Sequence, residues 1–287
     1  MCPPIPFPSG LPYAPQVGWP CSTRLPTGKA LICLSAPHRS LSDHVTRITF
    51  QPLKIMCQLL APVKAILDAL APHQVRAVGG AVRAWLRHDP TTGLDLDLAT
   101  TATPDEIEKL LHTAGIVTSD AGKRWGTITA HLDGHAYEIT SLRQDTYTPG
   151  SRYPTVTFGT DWETDAQRRD FTINAIYMDE DENLFDPFDG ATDLKNGIVR
   201  FIGQPEVRLS EDPLRLYRFW RFCGTYGVGG ITPELITACQ QAIPGLISAS
   251  RSRRITEWNK LLETPQAATV LAELQRHELL DAMNPEV

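Results

Sequence analysis

The residues Gly79-Gly80-Ala81-Val82-Arg83, followed a short way on by Asp95-Leu96-Asp97-Leu98-Ala99-Thr100, are the most informative part of the chain. In the second stretch leucines alternate with Asp95 and Asp97, so a strand here would bury the leucines and set both aspartates on the opposite face. Two carboxylates held together repel each other unless a cation such as Mg²⁺, which prefers oxygen ligands, neutralises them. Beside a glycine pair that lets a phosphate approach the backbone, the pattern predicts metal-dependent phosphoryl chemistry. The alternative is a solvated edge strand with surface aspartates.

Length and composition indicate a globular protein with more than one domain. The chain has 287 residues, of which 42% are apolar, which is enough for a sizeable core. No apolar run reaches the ~18 residues of a membrane helix, and the apolar stretch at residues 30–36 lies too far in for a signal peptide. We therefore predict a cytoplasmic protein with no membrane partner. The six cysteines show no Cys-x-x-Cys spacing, which argues against a zinc site or a disulfide framework.

The charge distribution points to a small anionic ligand as readily as to a polynucleotide. The net charge of −6 argues against a general nucleic-acid coat protein, because phosphate binding relies on clustered lysine and arginine. Arginines are nevertheless concentrated in the second half of the chain. They form three groups: Arg168 and Arg169; Arg215, Arg218 and Arg221; and Arg251, Arg253 and Arg254.

The sequence divides into three segments. Residues 1–55 are rich in proline, low in charge and without periodicity, and predict a disordered extension; alternatively, Met56 is the true start and the extension is a mis-assigned upstream reading. Residues 56–200 mix strand and helix signals, including a hairpin at Asp133-Gly134, and predict an α+β fold with a mixed sheet flanked by helices. In residues 201–287 helical spacing takes over, so we expect an all-helical domain there.

Local signals also predict individual elements. Thr103-Pro104-Asp105-Glu106 has the capping threonine, the early proline and the carboxylates of a helix start. The predicted helices span residues 59–70, 81–87 and 103–115, and the predicted strands span residues 75–78, 94–99, 125–132 and 135–142.

Five motifs follow one another along the chain. They are Gly79-Gly80-x-Val82-Arg83, Asp95-x-Asp97-x-Ala99-Thr100, Arg168-Arg169-Asp170-Phe171-Thr172-Ile173-Asn174-Ala175, Asp186-Pro187-Phe188-Asp189-Gly190-x-x-Asp193-Leu194 and Glu211-Asp212-Pro213-Leu214-Arg215-x-x-Arg218. Over roughly residues 58–285 the chain thereby resembles the head and neck of the bacterial class II tRNA nucleotidyltransferase (CCA-adding enzyme) and poly(A) polymerase family. The resemblance implies a nucleotidyltransferase-superfamily, polymerase-beta-like head at residues 56–200 and a helical neck at residues 201–287 that recognises the base and RNA.

The same resemblance implies an activity. Members of the family transfer a nucleotide from ATP or CTP to an RNA 3′ hydroxyl, most typically to rebuild the CCA end of tRNA. We therefore expect ATP, CTP and the tRNA 3′ end as partners and Mg²⁺ as cofactor. Two metal ions would activate the attacking hydroxyl and stabilise the leaving pyrophosphate.

Roles at the phosphate end of this expected site follow from the first three motifs. Asp95 and Asp97 are expected to be catalytic and to bind the metal. Gly80 would bring the start of a helix to the triphosphate, where amides carry partial positive charge and no β-carbon intervenes. Arg83 and Arg169 would contact the nucleotide, and Glu138, on the strand after the hairpin, would supply a third carboxylate.

The third and fourth motifs also contain residues with expected structural roles. Asp170 and Asn174 are expected to brace the site or cap a helix. The segment from Asp186 to Asp193 is rich in turn residues and is expected to be a carboxylate-pinned connection between head and neck.

The fifth motif is expected to select the base. Ser210 would cap a helix, and Asp212, Arg215, Arg218 and Arg221 would follow at intervals of three, with Asp212 and Arg221 on nearly opposite sides of it. By resemblance, Asp212 and Arg215 would act as a protein template for C and A, while Arg218 and Arg221 contact other parts of the nucleotide or RNA. The alternative that spacing alone leaves open is an amphipathic helix that carries salt bridges.

The resemblance has two departures. Ala84 stands where the family usually has aspartate, so a brace for Arg83 or for the helix start is expected to be missing and catalysis to be slower. The chain also ends soon after its neck helix, so we expect it to bind nucleotide better than tRNA. Three functions stay open: addition of C and A to tRNA ends, a poly(A) polymerase or A-only enzyme of the same family, and an inactive nucleotide- or RNA-binding remnant.

Overall fold

The structure, a computed structural model, describes residues 63–89, 96–147 and 154–285. All of them belong to one compact unit, Phe50–Val287. The predictions for residues 1–55, Met56 and Asp95 lie outside the described residues. Within the described part of the chain, no helix is long and apolar enough to cross a membrane.

A mixed seven-stranded sheet forms the first half of the described chain, as the sequence predicts. Its order is β3-β4-β5-β2-β1-β8-β9, and β6 pairs separately with β7. The β2–β5 pair is parallel and the other pairs are antiparallel. The strands are β1 (Val75–Val78), β2 (Asp97–Thr100), β3 (Val117–Ser119), β4 (Thr127–Leu132), β5 (His135–Ser141), β6 (Arg143–Thr146), β7 (Thr155–Phe158), β8 (Tyr177–Met178) and β9 (Leu184–Phe185).

Helices flank the sheet and then make up the rest of the described chain. They are α1 (Lys64–Leu70), α2 (Gly80–Leu86), α3 (Pro104–Thr113), α4 (Trp162–Arg168), α5 (Gly190–Asn196), α6 (Pro205–Glu211), α7 (Arg215–Tyr226), α8 (Pro233–Ser248), α9 (Arg251–Leu262), α10 (Ala267–Arg276) and α11 (Leu280–Met283). The change from strands to helices falls where the sequence pattern predicts it. Phe171 nevertheless packs against Phe201, Phe219 and Phe222, so one apolar core crosses residue 200. The domain boundary there stays a prediction.

Two local signals act as expected. Thr103 caps α3: its side chain accepts a hydrogen bond from the Glu106 amide, and the Glu106 carboxylate accepts one from the Thr103 amide at 2.8 Å. Leu132 pairs with His135 across a two-residue turn in which Asp133 and Gly134 have φ of 52° and 80°. Positive φ at both positions is the geometry that the right-handed twist of a hairpin favours.

The strand that carries the aspartates begins at Asp97 in the described chain. Leu96 and Leu98 are buried at 4% and 1% exposure, whereas Asp97 is half-buried. The alternation of apolar and acidic residues therefore buries the leucines in the core, as predicted.

The expectation that Ser210 caps the arginine-bearing helix is wrong. Ser210 lies inside α6, where its hydroxyl donates to the Val207 carbonyl at 2.8 Å. Asp212 is extended, with φ −144° and ψ 100°, because the ring of Pro213 disfavours helical geometry in the residue before it. Asp212 is thus outside both helices, and α7 starts afresh at Arg215.

Candidate active site

The sheet brings the first two motifs together. Val78, the last residue of β1, pairs with Asp97, the first residue of β2, so Gly79 and Gly80 stand beside the aspartate. Gly79 has φ +75°, and a β-carbon there would lie 3.4 Å from the Asp97 carboxylate oxygen Oδ2. A side chain at Gly79 would therefore be strained by the positive φ, and its β-carbon would lie in van der Waals contact with the carboxylate.

Glu138 joins Asp97 on the same face of the sheet. Leu98 and Ile139 are partners in the parallel β2–β5 pair, and both are buried. Asp97 and Glu138 each precede these partners by one residue, so they lie on neighbouring strands and on the face opposite the two apolar side chains. Glu138 is exposed there and lies where a third carboxylate was predicted.

This carboxylate face suits a hard divalent cation. Asp97 and Glu138 offer oxygen ligands, which Mg²⁺ prefers, and two like charges side by side favour a cation between them. Among the residues that the structure describes, no three His, Cys, Asp or Glu side chains form a group that could hold a metal ion. Asp95 lies outside those residues.

Arg83, on the first helix after the glycines, points toward α7. Its Nε donates to the Tyr226 hydroxyl at 2.7 Å, and its Nη1 donates to Asn174 Oδ1. Its guanidinium also lies 5.3 Å from the centre of the Phe222 ring. Tyr226 and Asn174 therefore brace Arg83 although Ala84 stands where the family usually has aspartate, and the effect of Ala84 on catalysis stays a prediction. No acidic side chain lies in the first turn of α2.

The Arg168-Arg169 pair is anchored by a buried carboxylate. Asp165 accepts from Arg168 Nε at 2.8 Å and pairs with Arg169 Nη2 at 3.1 Å, while Arg169 Nε also donates to the Tyr177 hydroxyl at 2.8 Å. Burial alone would raise the pKa of Asp165, but Arg169 and Arg168 outweigh it and hold that pKa below its ordinary value. Burial would likewise lower the pKa of Arg169, but Tyr177 and Asp165 raise it. Arg169 is thus held as a fixed cation.

Asp170 and Asn174 brace the site, as interpreted from the sequence. Asp170 Oδ1 accepts from Asn174 Nδ2 at 2.7 Å, and Asp170 Oδ2 lies 2.7 Å from Nη2 of Arg218 on α7. Burial opposes ionisation of Asp170, yet Arg218 and Asn174 lower the pKa of that carboxyl. Since Asn174 also accepts from Arg83, the third motif connects the helix after the glycines to α7.

The fourth motif is held by its carboxylates. Asp186 accepts from the amides of Gly190 and Ala191, each at 2.8 Å. Asp193 accepts from the Thr172 hydroxyl at 2.6 Å and pairs with Arg200 at 2.8 Å. The segment is therefore pinned by carboxylates; that it connects two domains stays a prediction.

The arginines of the fifth motif each have an internal carboxylate partner. Arg215 pairs with Glu211, Arg218 with Asp170, and Arg221 with Glu257 at 3.6 Å. Spacing alone was compatible with such salt bridges, and they are present. Arg215 is almost fully buried, and its Nη2 lies 3.5 Å from the Tyr147 hydroxyl.

Asp212 nevertheless shares a cavity with two of these arginines. A cavity of about 480 Å³ is lined by Asp212, Leu214, Arg218, Arg221, Ser252, Arg253, Thr256, Glu257 and Lys260. A second cavity of about 660 Å³, lined among others by Arg143, Tyr147 and Glu211, also includes Asp212. The expectation that Asp212 and Arg221 lie on opposite sides of one helix is wrong, because the break at Pro213 returns Asp212 to the side of Arg221.

Several contacts in the site involve residues that sequence reasoning missed. Arg208, Asp165, Tyr147 and Tyr226 belong to none of the five motifs, yet each contacts an expected site residue. Arg208 was detectable, since it lies three residues before Glu211 and seven before Arg215 at helical spacing. Tyr226 was not, because 143 residues separate it from Arg83.

The mixed sheet carries carboxylates beside a glycine-led helix and is followed by a series of helices, which fits the nucleotidyltransferase head and helical neck that the sequence resemblance implies. The family model "Poly A polymerase head domain" matches residues 75–200, and "Probable RNA and SrmB- binding site of polymerase A" matches residues 230–287. The chain belongs to the tRNA nucleotidyltransferase (CCA-adding enzyme) and poly(A) polymerase family, which confirms the resemblance.

Relatives of the chain come from animals and bacteria. The mitochondrial CCA tRNA nucleotidyltransferase 1 of Danio rerio is 41% identical over 201 residues, which cover 69% of this chain and 46% of that protein. The CCA-adding enzyme of a Geobacillus species is 38% identical over 212 residues, covering 73% of this chain and 51% of that enzyme. The chain thus spans about half the length of these curated relatives. Since one of them is named as mitochondrial, a cytoplasmic location stays a prediction.

A solved structure has the same fold. The crystal structure of the Bacillus stearothermophilus CCA-adding enzyme in complex with CTP matches with a TM-score of 0.67 and 35% identity. The match covers 77% of this chain and 53% of that one. The predicted fold class, a nucleotidyltransferase-superfamily mixed sheet followed by helices, is therefore confirmed.

Proposed function

We propose that this chain carries the catalytic part of an enzyme that transfers CMP and AMP from CTP and ATP to the 3′ end of tRNA, completing or repairing its CCA end. The observation that carries the proposal is the placement of Asp97 and Glu138 on one sheet face beside Gly79-Gly80. Relatives named for CCA addition to tRNA support the choice of reaction.

Asp95, Asp97 and Glu138 are the residues that would hold Mg²⁺. Bound there, the metal would lower the pKa of the RNA 3′ hydroxyl and offset charge on the leaving pyrophosphate, which is the two-metal chemistry expected from the sequence. The chain's own part is to place the attacking oxygen and the α-phosphorus together. The new bond joins the 3′ oxygen to that phosphorus, and the bond to pyrophosphate breaks.

The nucleotide would lie between the glycine-led helix and α7. Gly80 would let the triphosphate approach the backbone, and Arg83 would pair with it while held by Asn174 and Tyr226. Arg169, fixed as a cation by Asp165, would add a further contact.

The base would then face the helical part of the chain. Asp212 and Arg215 would read its edge, and Arg218 and Arg221, which line a cavity with Asp212, would contact the rest of the nucleotide or RNA. A base that mismatches these donors and acceptors leaves them unpaired, which is how such a site would reject U and G.

The match to the poly(A) polymerase head domain supports a second candidate function, namely an enzyme that adds only A. Both candidates are tested by incubating the protein and Mg²⁺ with tRNA lacking none, one, two or three terminal nucleotides, plus labelled CTP or ATP. Incorporation of C followed by A supports the proposal, and A alone supports the second candidate. No incorporation, with ATP binding retained, would identify an inactive nucleotide-binding protein.

Substitutions connect that activity to the site. Asp95→Asn and Asp97→Asn should each lower incorporation by about a thousandfold, because each removes an expected metal ligand. Asp105→Asn is the matched control, since the Asp105 side chain is 86% exposed on α3, where it pairs with Lys123. Full activity in the Asp97→Asn protein would contradict the assignment of the metal site.

A further inference from the structure

Arg208 is a buried arginine outside the five motifs, and it joins two of them. Its side chain is 10% exposed, and its Nη2 donates to the carbonyl oxygens of Arg168 and Arg169 at 2.6 and 2.7 Å. Its Nη1 donates to Glu211 Oε2 at 2.7 Å. One guanidinium thus connects the backbone of the Arg168-Arg169 pair to the start of the fifth motif.

Glu211 passes this connection on to Arg215. The same Oε2 atom that accepts from Arg208 also accepts from Arg215 Nη1, which in turn donates to the Arg208 carbonyl at 2.8 Å. Arg208 therefore holds Arg215 twice, once through Glu211 and once through its own backbone. Because all three side chains are at most 15% exposed, water competes little for these hydrogen bonds.

We infer that Arg208 is a positioning residue for base selection, which fixes Arg215 at a set place relative to the Arg168-Arg169 backbone. The inference rests on the proposed function, because that function assigns Arg215 to the base edge and Arg169 to the nucleotide. Arg208 itself touches neither the base nor the reacting atoms in this assignment.

The geometry requires arginine at this position rather than any cation. Two nitrogens of one planar group reach three acceptors, namely two carbonyls and a carboxylate. A lysine ammonium is a point charge and cannot reach these three acceptors from two fixed nitrogens. Arg208→Lys therefore separates geometry from charge: it keeps the charge beside Glu211 and loses the fixed spacing.

A purely structural clamp is the competing explanation, and it makes a different prediction. A clamp would lower stability and weaken the binding of all nucleotides in parallel. A positioning residue would change the ratio of affinities between bases, because only the base edge is read by Arg215.

The test uses the full chain as wild type, Arg208→Lys, Arg208→Gln and the control Arg200→Gln. Arg200 matches Arg208 in contact type, since it pairs with Asp193 and donates to the Phe188 carbonyl, and neither of these partners belongs to the Arg208–Glu211–Arg215 contacts. Affinities for CTP, ATP, UTP, GTP and inorganic tripolyphosphate are measured by calorimetry with Mg²⁺, and thermal midpoints are recorded for each protein.

We expect Arg208→Gln to reduce the preference for CTP over UTP about tenfold, the scale of one misplaced polar contact. Arg208→Lys should lose most of the same preference, and the affinity for tripolyphosphate should change less than about twofold in both, because Arg83 is untouched. Arg200→Gln should keep the preference. An unchanged preference in the folded Arg208→Gln protein would overturn the inference.

A double-mutant cycle separates failure of this inference from failure of the proposed function. If the wild type binds nucleotides without preference for C or A, the proposed function fails. The positioning claim is then decided by urea unfolding of Arg208→Gln, Arg215→Gln and the double variant. Non-additive effects on the free energy of unfolding would support the coupling of Arg208 to Arg215, and additive effects would overturn it.

Discussion

The carboxylate face around Asp97 and the arginine region around α7 handle charge in opposite ways. Asp97 and Glu138 place like charges on neighbouring strands, with Glu138 exposed to solvent. In the arginine region, Arg215, Arg218 and Arg221 each lie against a carboxylate of the protein itself. The region also includes the Arg168-Arg169 pair at the end of α4, which Asp165 holds in the same way. The first region offers neighbouring carboxylates to a cation, whereas the second holds its arginines with carboxylates that they share, since Glu211 pairs with both Arg208 and Arg215.

This difference indicates which region the fold depends on. We expect the carboxylate face to serve chemistry and the buried ion pairs to serve stability, because a buried charge that loses its partner destabilises the protein. The same aspartate-to-asparagine change should therefore have opposite consequences in the two regions. The expected effects below run from the largest to the smallest.

Asp97→Asn should lower nucleotide transfer by about a thousandfold, roughly 4 kcal/mol of barrier, because it removes a ligand of the expected metal site. Its free energy of unfolding should change less than that of Asp165→Asn, because Asp97 is half-buried whereas Asp165 is 1% exposed. Single-turnover assays and urea unfolding measure the two effects. A large loss of stability with activity retained would show that Asp97 supports the fold rather than catalysis, contrary to the expectation for the carboxylate face.

Asp165→Asn should lower the free energy of unfolding by about 3 kcal/mol, because it leaves Arg168 and Arg169 buried without their shared carboxylate. Urea unfolding of the variant measures this directly. Asp161→Asn, at the exposed cap of the same helix, is the control and should cost about 1 kcal/mol or less. Equal losses in the two variants would show that the buried ion pairs contribute no more to the free energy of unfolding than an exposed helix cap does.

Acid should lower the free energy of unfolding, because the carboxylates that pair with buried arginines become protonated. Arg169 and Arg168 outweigh burial at Asp165, and Arg218 does so at Asp170, so both carboxyls have a lower pKa in the folded protein than the ~3.9 of an unfolded aspartate. Their contribution is present above that ordinary pKa and is lost as the pH falls below it through the folded pKa. Urea unfolding between about pH 6 and pH 2 should show this decline, and the decline should be shallower in Asp165→Asn.

Tyr226→Phe should have the smallest effect, an increase in KM for ATP of about fivefold, or ~1 kcal/mol. It removes the hydroxyl that accepts from Arg83 and keeps the ring. Initial-rate kinetics test it, with Tyr137→Phe in the sheet as the same chemical change away from Arg83. An unchanged KM would show that Asn174 alone is sufficient to hold Arg83.

Local signals in the sequence predicted much of this fold. Three of these signals depend on neighbours within a few residues: the alternating leucines, the Thr103 cap and the Asp133-Gly134 turn. Their local structure can therefore be predicted from the sequence. Ser210 was misread because the effect of Pro213 on the residue before it was not weighed against the capping preference of serine.

Long-range geometry could not be predicted in this way. The parallel pairing that sets Glu138 beside Asp97 joins strands separated by a helix and two other strands, and no local period encodes it. The partners of Arg83 and Arg208 likewise come from distant parts of the chain. Motif resemblance predicts the candidate site residues as a group, but their mutual contacts depend on tertiary packing.

The bond between Arg83 and Tyr226 also has a consequence for synthesis on the ribosome. Arg83 is made 143 residues ahead of its partner, which at ~5–20 residues per second is a delay on the order of ten seconds. During that interval the strands and helices of the sheet can assemble, but the guanidinium lacks its contact from α7. A nascent chain halted before Tyr226 should therefore contain a formed sheet and an incompletely ordered Arg83.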